Sequence, residues 1–278
     1  MKKNNKDSLG DRMKRYEAVS KTMLMHRNPT IIRIDGKSFH TFTRGFVRPF
    51  DDVLIESMQE TTKYLCENIQ NCVLGYTQSD EITLVLVDYE HLDTAAWYDY
   101  EVQKLCSISA SMATMAFNKA FERNMEEYIH EVKLLGIDGT NLSEKDEAKW
   151  KQYEIYRSAY LNGAVFDARC FSVPRDEVTN CVLWRQQDAT RNSIQMVAQR
   201  YFKHQELEHK NCNMIQDMLH ETYGVNWNDF EIYKKRGSAV IRDEDGHWFI
   251  DKNMPILTGD GREYIERLIN FENENEND

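Results

Sequence analysis

Apolar positions in this chain change period several times, and each change marks an element. Ile31-Ile32-Arg33-Ile34 is a short apolar run stopped by Asp35-Gly36, which predicts a buried strand. Leu54, Met58, Thr61, Leu65 and Ile69 then recur at helical spacing behind Asp51 and Asp52, either of which can cap a helix start. Residues 72–77 and 82–87 are β-rich runs separated by Gln78-Ser79-Asp80-Glu81, so a hairpin is expected. Between residues 100 and 121, Val102, Leu105, Ile108, Met112 and Ala116 mark a second amphipathic helix. Residues 136–163 read as a polar insertion, irregular or helical, and 164–173 as another strand.

The order β-α-β-β-α-β is that of a ferredoxin-like split βαβ unit within an α+β fold. The first strand then lies beside the third. Asp35 at the end of one is expected to approach Asp80 and Glu81 at the start of the other. Beyond residue 173 the chain turns helical, with helices expected over 176–186, 189–202 and 209–222 and Gly224 as a stop. Residues 230–233 and 238–242 read as strands. The turn Asp243-Glu244-Asp245-Gly246 leads into 247–251 as a hairpin, and 261–271 reads as a final helix. The expected organisation is a catalytic domain over 1–175, a helical and hairpin region over 176–271 packed on it, and a disordered acidic tail over 272–278.

Composition narrows the classes. The 278 residues carry 35 Lys and Arg against 46 Asp and Glu, a net charge of -11. That sign opposes a nucleic-acid partner at first sight. Its distribution weakens the objection: residues 51–100 hold eleven acidic side chains and one Lys, and Glu272, Glu274, Glu276 and Asp278 lie in the tail. The remainder is slightly basic, and the N-terminus is rich in Lys and Arg. No apolar run approaches the roughly 20 residues of a membrane span, and no signal peptide is expected. The six cysteines form no CxxC pair, so a reduced, cytoplasmic protein without structural zinc is expected.

Carboxylates at the ends of adjacent strands, here Asp35, Asp80 and Glu81, suit Mg²⁺, which takes hard oxygen ligands and shares substrate phosphates. Asp-Gly and Ser-Asp are equally usual in turns, and the residues alone leave both readings open. Gly36-Lys37-Ser38-Phe39-His40 follows a strand and offers backbone N–H groups, a cation and a hydroxyl to a phosphate, although no P-loop or GxGxxG spacing is present. Arg48 precedes a helix start, where anions are favoured. Lys104, Lys203, His204, His209, Lys210 and Lys234-Lys235-Arg236 are further cations, each of which also suits an ordinary solvated surface. HExxH, GxSxG and kinase motifs are missing from the sequence.

Five segments in order resemble the tRNA-His guanylyltransferase family: Arg33-Ile34-Asp35-Gly36-Lys37-Ser38-Phe39-His40-Thr41-Phe42, Tyr76-Thr77-Gln78-Ser79-Asp80-Glu81, Phe166-Asp167-Ala168-Arg169, Leu183-Trp184-Arg185-Gln186-Gln187-Asp188 and Tyr233-Lys234-Lys235-Arg236-Gly237. The resemblance implies a polymerase-palm sheet and metal-dependent nucleotide addition in the 3′-to-5′ direction at the 5′ end of a tRNA, activated by ATP or GTP. It implies that Asp35, the Gly36 carbonyl and Asp80 hold two Mg²⁺ ions, with Glu81 beside them as a third catalytic acid. Lys37, Ser38, Phe39, His40 and Ser79 would contact the nucleotide, with Arg48 and Asp51 close by. Lys104, Arg169 and Lys210 would bind the activating nucleotide or the tRNA end. A homotetramer is implied as well. Where eukaryotic members read HINN this chain reads Ala189-Thr190-Arg191-Asn192, which resembles the bacterial and archaeal branch that repairs truncated tRNA 5′ ends on a template. The alternatives are guanine addition to tRNA-His, a palm-fold nucleotidyl cyclase, and a non-catalytic RNA-binding relative.

Overall fold

The computed structural model describes residues 7–134 and 143–271. The expected acidic tail, the first six residues and part of the 136–163 segment lie outside these. In chain order the elements are α1 (Leu9–Ala18), β1 (Thr30–Gly36), α2 (Phe39–Phe42), α3 (Asp52–Asn68), β2 (Cys72–Gln78), β3 (Glu81–Leu86), α4 (Val102–Leu134), α5 (Glu144–Asn162), β4 (Phe166–Ser172), α6 (Val178–Tyr201), α7 (His204–Leu207), α8 (Cys212–Tyr223), α9 (Ile232–Arg236), β5 (Ser238–Arg242), β6 (Trp248–Asp251) and α10 (Glu263–Ile269). No helix among the described residues is long and apolar enough to cross a membrane.

The strands form one antiparallel sheet in the order β4-β1-β3-β2-β5-β6. The ferredoxin-like expectation holds, with β1 beside β3 at the centre of the first four strands. The sheet is covered on both faces, which is why its strands read as near-continuous apolar runs instead of alternating ones. Ile32, Ile34, Ile82, Leu84 and Leu86 face α3 and α4, where they meet Leu65, Phe117 and Phe121. Ile31, Leu74, Tyr76, Val85, Ala239 and Ile241 face Val178, Val182 and Ile265 of α6 and α10. A third, smaller cluster joins α6 to α8 through Ile194, Val197, Ile215, Leu219 and Trp227.

Three expectations change, and the described part of the insertion takes its helical alternative. The second long helix runs on past residue 121 to Leu134, because Met125, Ile129 and Val132 continue its buried stripe. Within the insertion, Ser143 caps α5, and Tyr153, Tyr156 and Ala159 bury one face of that helix. The helices expected over 176–186 and 189–202 are one helix, α6, because Gln187-Asp188 holds no breaker and Ala189 is buried in mid-helix. Residues 230–233 are not a strand: Asn226 starts a short 3-10 turn over Trp227–Asp229, Phe230 packs on Phe50 with ring centres 5.3 Å apart, and α9 begins at Ile232. The expected hairpin is present as β5–β6, and β5 pairs with β2, so it widens the sheet.

The tightest helix-to-sheet approach is at Gly75 on β2. A Cβ there would lie 2.5 Å from Cys66 Sγ and 2.7 Å from Thr62 Cγ2, both on α3. Replacing Gly75 with Val should therefore force α3 off the sheet and cost about 1–3 kcal/mol. A lower denaturant midpoint with unchanged slope would record that cost, and equal midpoints would show that α3 yields freely.

Candidate active site

The sheet register builds the site. Asp35 pairs with Glu81 on β3 and with Asp167 on β4, so three acidic residues lie in one row across three strands. Gln78 pairs with Glu81, leaving Ser79 and Asp80 as a two-residue turn. Ser79 has φ 51° and Ser38 has φ 55°, left-handed values that cost a side chain of this kind roughly 1–3 kcal/mol. The Gly36 N–H donates to the Asp80 carbonyl at 3.0 Å and ties the two strand ends together. Gly36 also has no room for a side chain, because a Cβ would lie 2.2 Å from the Phe39 ring.

An open cleft of about 470 Å³ lies at this rim, lined by Gly36, Ser38, Phe39, His40, Arg48, Asp51, Ser79 and Asp80 together with Met196 of α6. Most of the expected nucleotide-contacting residues are thus brought together. Phe39 contributes only an edge. It is 4% exposed and packs on Phe42, Phe117 and Phe166, which roots the loop in the core. Lys37 points to a neighbouring cavity that it shares with Ser38, Arg44 and Ser158 and Asn162 of α5.

Burial pushes the Asp80 carboxyl above the usual carboxylate range, and the nearby Asp35 and Glu81 charges push it further. Its own side-chain partner is the Ser79 hydroxyl, at 3.1 Å. Two adjacent carboxylates whose electrostatic neighbours are acids fit a divalent cation, and all the available donors there are hard oxygens. Asp35, Asp80 and the Gly36 carbonyl therefore match the requirements of Mg²⁺.

Glu81 is differently engaged. Arg185 of α6 donates from Nε to Glu81 Oε1 at 2.6 Å and from Nη2 to Oε2 at 2.9 Å, and Nη2 also donates to Asp188 at 2.8 Å. The third acid is thus neutralised by a fork-shaped ion pair. Asp51 is similarly occupied: it caps α3 by accepting from Leu54 N–H, and it also accepts from Val47 N–H and the Tyr156 hydroxyl. Burial raises its pKa, and these bonds oppose the rise.

Three expected cations are not brought to the cleft. α4 runs along β4, with Val102 beside Cys170 and Thr114 beside Phe166, so Lys104 lies roughly 15 Å of helix before the site end. There it pairs with Glu101 at 3.5 Å. Arg169 is one pleat back from the acidic row and pairs with Asp167 at 3.6 Å. Lys210 precedes α8, away from the lining residues. A three-donor cluster with atoms in mutual reach does exist elsewhere, at Asp243, Asp245 and His247, on the exposed turn between β5 and β6.

Sequence reasoning missed the roles of Arg185, Asp188 and Tyr156. It also missed a small cavity beside the cleft, lined by Ala189, Asn192, Ser193, Tyr233 and Lys234. Arg185 and Asp188 stand three apart on α6, one helical turn, beside the buried Val182, Gln186 and Ala189, and that spacing was the available clue to a pair.

Comparisons with known proteins identify the family and the fold. The family model for tRNAHis guanylyltransferase matches residues 10–174. A solved structure of a bacterial tRNAHis guanylyltransferase-like protein in complex with ATP is 39% identical, covers 95% of this chain and 100% of that one, and superposes with a TM-score of 0.77. The corresponding structure in complex with GTP is 36% identical, with coverage of 94% and 99% and a TM-score of 0.69. The tRNAHis guanylyltransferase of Schizosaccharomyces pombe is 26% identical over 251 residues, 85% of this chain and 81% of that protein. A palm-like sheet, acids paired at its rim and a family match over most of the chain lead to one conclusion: this protein belongs to the tRNAHis guanylyltransferase family of nucleotidyltransferases.

Proposed function

We propose that the protein is a template-dependent 3′-to-5′ nucleotidyltransferase that adds nucleotides to the 5′ end of tRNA and so repairs truncated acceptor stems. The observation that carries this reading is that Asp80, with Asp35 close enough to oppose its ionisation, lines a cleft of about 470 Å³ beside the Ser38 and Ser79 hydroxyls and Arg48. The bacterial relatives in complex with ATP and GTP support nucleoside triphosphates as substrates.

In this reading Asp35, Asp80 and the Gly36 carbonyl hold two Mg²⁺ ions, which supply Lewis acidity toward a ribose hydroxyl and charge neutralisation for a triphosphate. Ser38, His40 and Ser79 orient the nucleotide, and Arg48 meets its phosphates at the open side. The bond formed joins the 3′-oxygen of the incoming nucleotide to the activated 5′ phosphate of the RNA. Pyrophosphate or a nucleoside monophosphate leaves, according to how that end was activated. Glu81 acts through Arg185, fixing α6 against the sheet. The cysteine pattern suits a cytoplasmic enzyme, and the family resemblance implies a homotetramer. The exposed Leu9, Met13 and Tyr16, spaced along one side of α1, offer apolar surface for such an assembly.

Incubation with tRNAs lacking their first nucleotide tests the function directly. Addition of the nucleotide complementary to the opposing acceptor strand is expected. Guanine addition confined to tRNA-His would establish the eukaryotic-type activity instead, and no addition to any tRNA would reject both.

Asp80→Asn should lower addition at least a thousandfold without loss of stability. The sign follows from the raised pKa. A carboxyl pushed up in the folded state makes stability fall as pH rises through the range above its ordinary value of 3.8. Removing the charge lifts that burden at pH 7. Mg²⁺ favours the ionised form, so its stabilising effect on the wild type should grow with pH through the same range and vanish in the variant. Thermal unfolding with and without Mg²⁺ measures both effects.

Arg185→Met should behave oppositely. It leaves Glu81 nearly buried without its cation and should cost about 3 kcal/mol. Chemical denaturation should show a large loss in this single variant and recovery when Glu81→Gln is added.

A further inference from the structure

Trp184 is the unusual residue on the helix that crosses the site. Indoles are mostly covered in folded proteins, yet Trp184 is 53% exposed. It lies on α6 immediately before Arg185, which is locked to Glu81 and Asp188. The Arg185 guanidinium lies 4.5 Å from the Trp184 ring centre, and that of Arg33 lies 5.3 Å away. Arg33 is on β1, two residues before Asp35 and on the same face, about 7 Å along the strand. Arg169 is its register partner on β4. Among the described residues, no carboxylate lies within ion-pair distance of Arg33, whereas Arg185 is saturated with acids.

A half-exposed indole with two guanidiniums over its ring, one locked in ion pairs and one with no acidic partner among the described residues, is a surface suited to single-stranded or terminal nucleobases, a base taking the place of the uncommitted arginine. Stacking on an aromatic face is available to every base, and the cation serves the adjoining phosphate. The chemistry also fits the position, because an RNA end must lie next to Asp35 for its 5′ phosphate to react. A purely structural pair would explain the contact between Arg33 and Trp184. It would not explain why the chain leaves half of an indole in solvent within a residue or two of the site's main ion pair.

Resting on the nucleotidyltransferase reading, we infer that Trp184 is the platform on which the terminal base of the RNA acceptor end stacks, with Arg33 and Arg169 holding its backbone phosphates. Trp184 is thus a positioning residue. It orients the RNA end toward Asp35 and Asp80 and touches no reacting atom.

The test uses the full chain and two RNA probes: a hairpin mimicking an acceptor stem that lacks its first nucleotide, and a closed dumbbell of the same duplex with no end. Trp184→Ala should bind the hairpin about tenfold or more weakly, Trp184→Phe should recover most of that loss, and the dumbbell should bind all three proteins alike. In steady-state addition assays the loss should appear in KM for the RNA, with KM for the nucleoside triphosphate unchanged. Arg169→Gln should reduce the salt dependence of hairpin binding by about one unit of slope. Equal hairpin binding by wild type and Trp184→Ala, both folded by thermal unfolding, would overturn the inference while leaving the proposed function standing. A wild type that adds no nucleotide, yet shows the end-specific dependence on Trp184, would overturn the function and keep the platform.

Discussion

Two carboxylates of like charge stand side by side at the rim of a sheet that is buried on both faces, and much of the local architecture answers that repulsion. Asp80 loses water on folding, and the Asp35 charge beside it raises the cost of ionising it further. The chain answers with restraint. Two serines are held in left-handed backbone, a glycine admits no side chain, and one backbone hydrogen bond joins the two strand ends. The third acid in the row, Glu81, is taken out of the conflict by Arg185 from the opposite layer. Asp51, a fourth acid at the cleft, is tied up by two backbone N–H groups and a tyrosine. What remains uncompensated is the pair Asp35 and Asp80, and that remainder is what a divalent cation would complete.

How much of this the sequence makes legible depends on the range of the interaction. Strand identity and pairing order follow from local apolar runs and turns, and they suffice to bring Asp35 near Asp80. The engagement of Glu81 does not follow, because its partner is 104 residues away and arrives only through packing of α6 on the sheet. Asp51 shows the same limit: its capping role is local and readable, whereas its bond to Tyr156 comes from a segment that reads as a polar insertion. Lys104 illustrates a third kind of failure. A helical position gives the face of a residue and not how far along the sheet it lies, and α4 carries Lys104 to the other end. The break expected at residue 187 and the strand expected at 230 fail for local reasons: burial at Ala189 carries the helix through, and the turn started by Asn226 leads directly into α9.

The acidic surplus looks different once partners are known. Of the eleven acids between residues 51 and 100, Glu81, Asp88, Asp52 and Glu60 engage Arg185, the Arg27 backbone, Lys234 and Arg123 respectively. These four charges are offset by partners within the fold. On the α6 side of β1, Arg33 has no carboxylate within ion-pair distance among the described residues. The overall sign of the protein therefore says little about the field an RNA end would meet there.

The burial of Phe39 has a consequence for how the site lives and dies. The segment from Gly36 to His40 carries the groups that would meet a nucleotide, and loops with that duty usually open and close independently of the fold. Here its fourth residue, Phe39, is a keystone of the aromatic cluster it forms with Phe42, Phe117 and Phe166, so the segment cannot swing without prising the core apart. The cleft is accordingly a fixed mould, present before any substrate arrives. Its opening belongs to the same cooperative event as the unfolding of the protein.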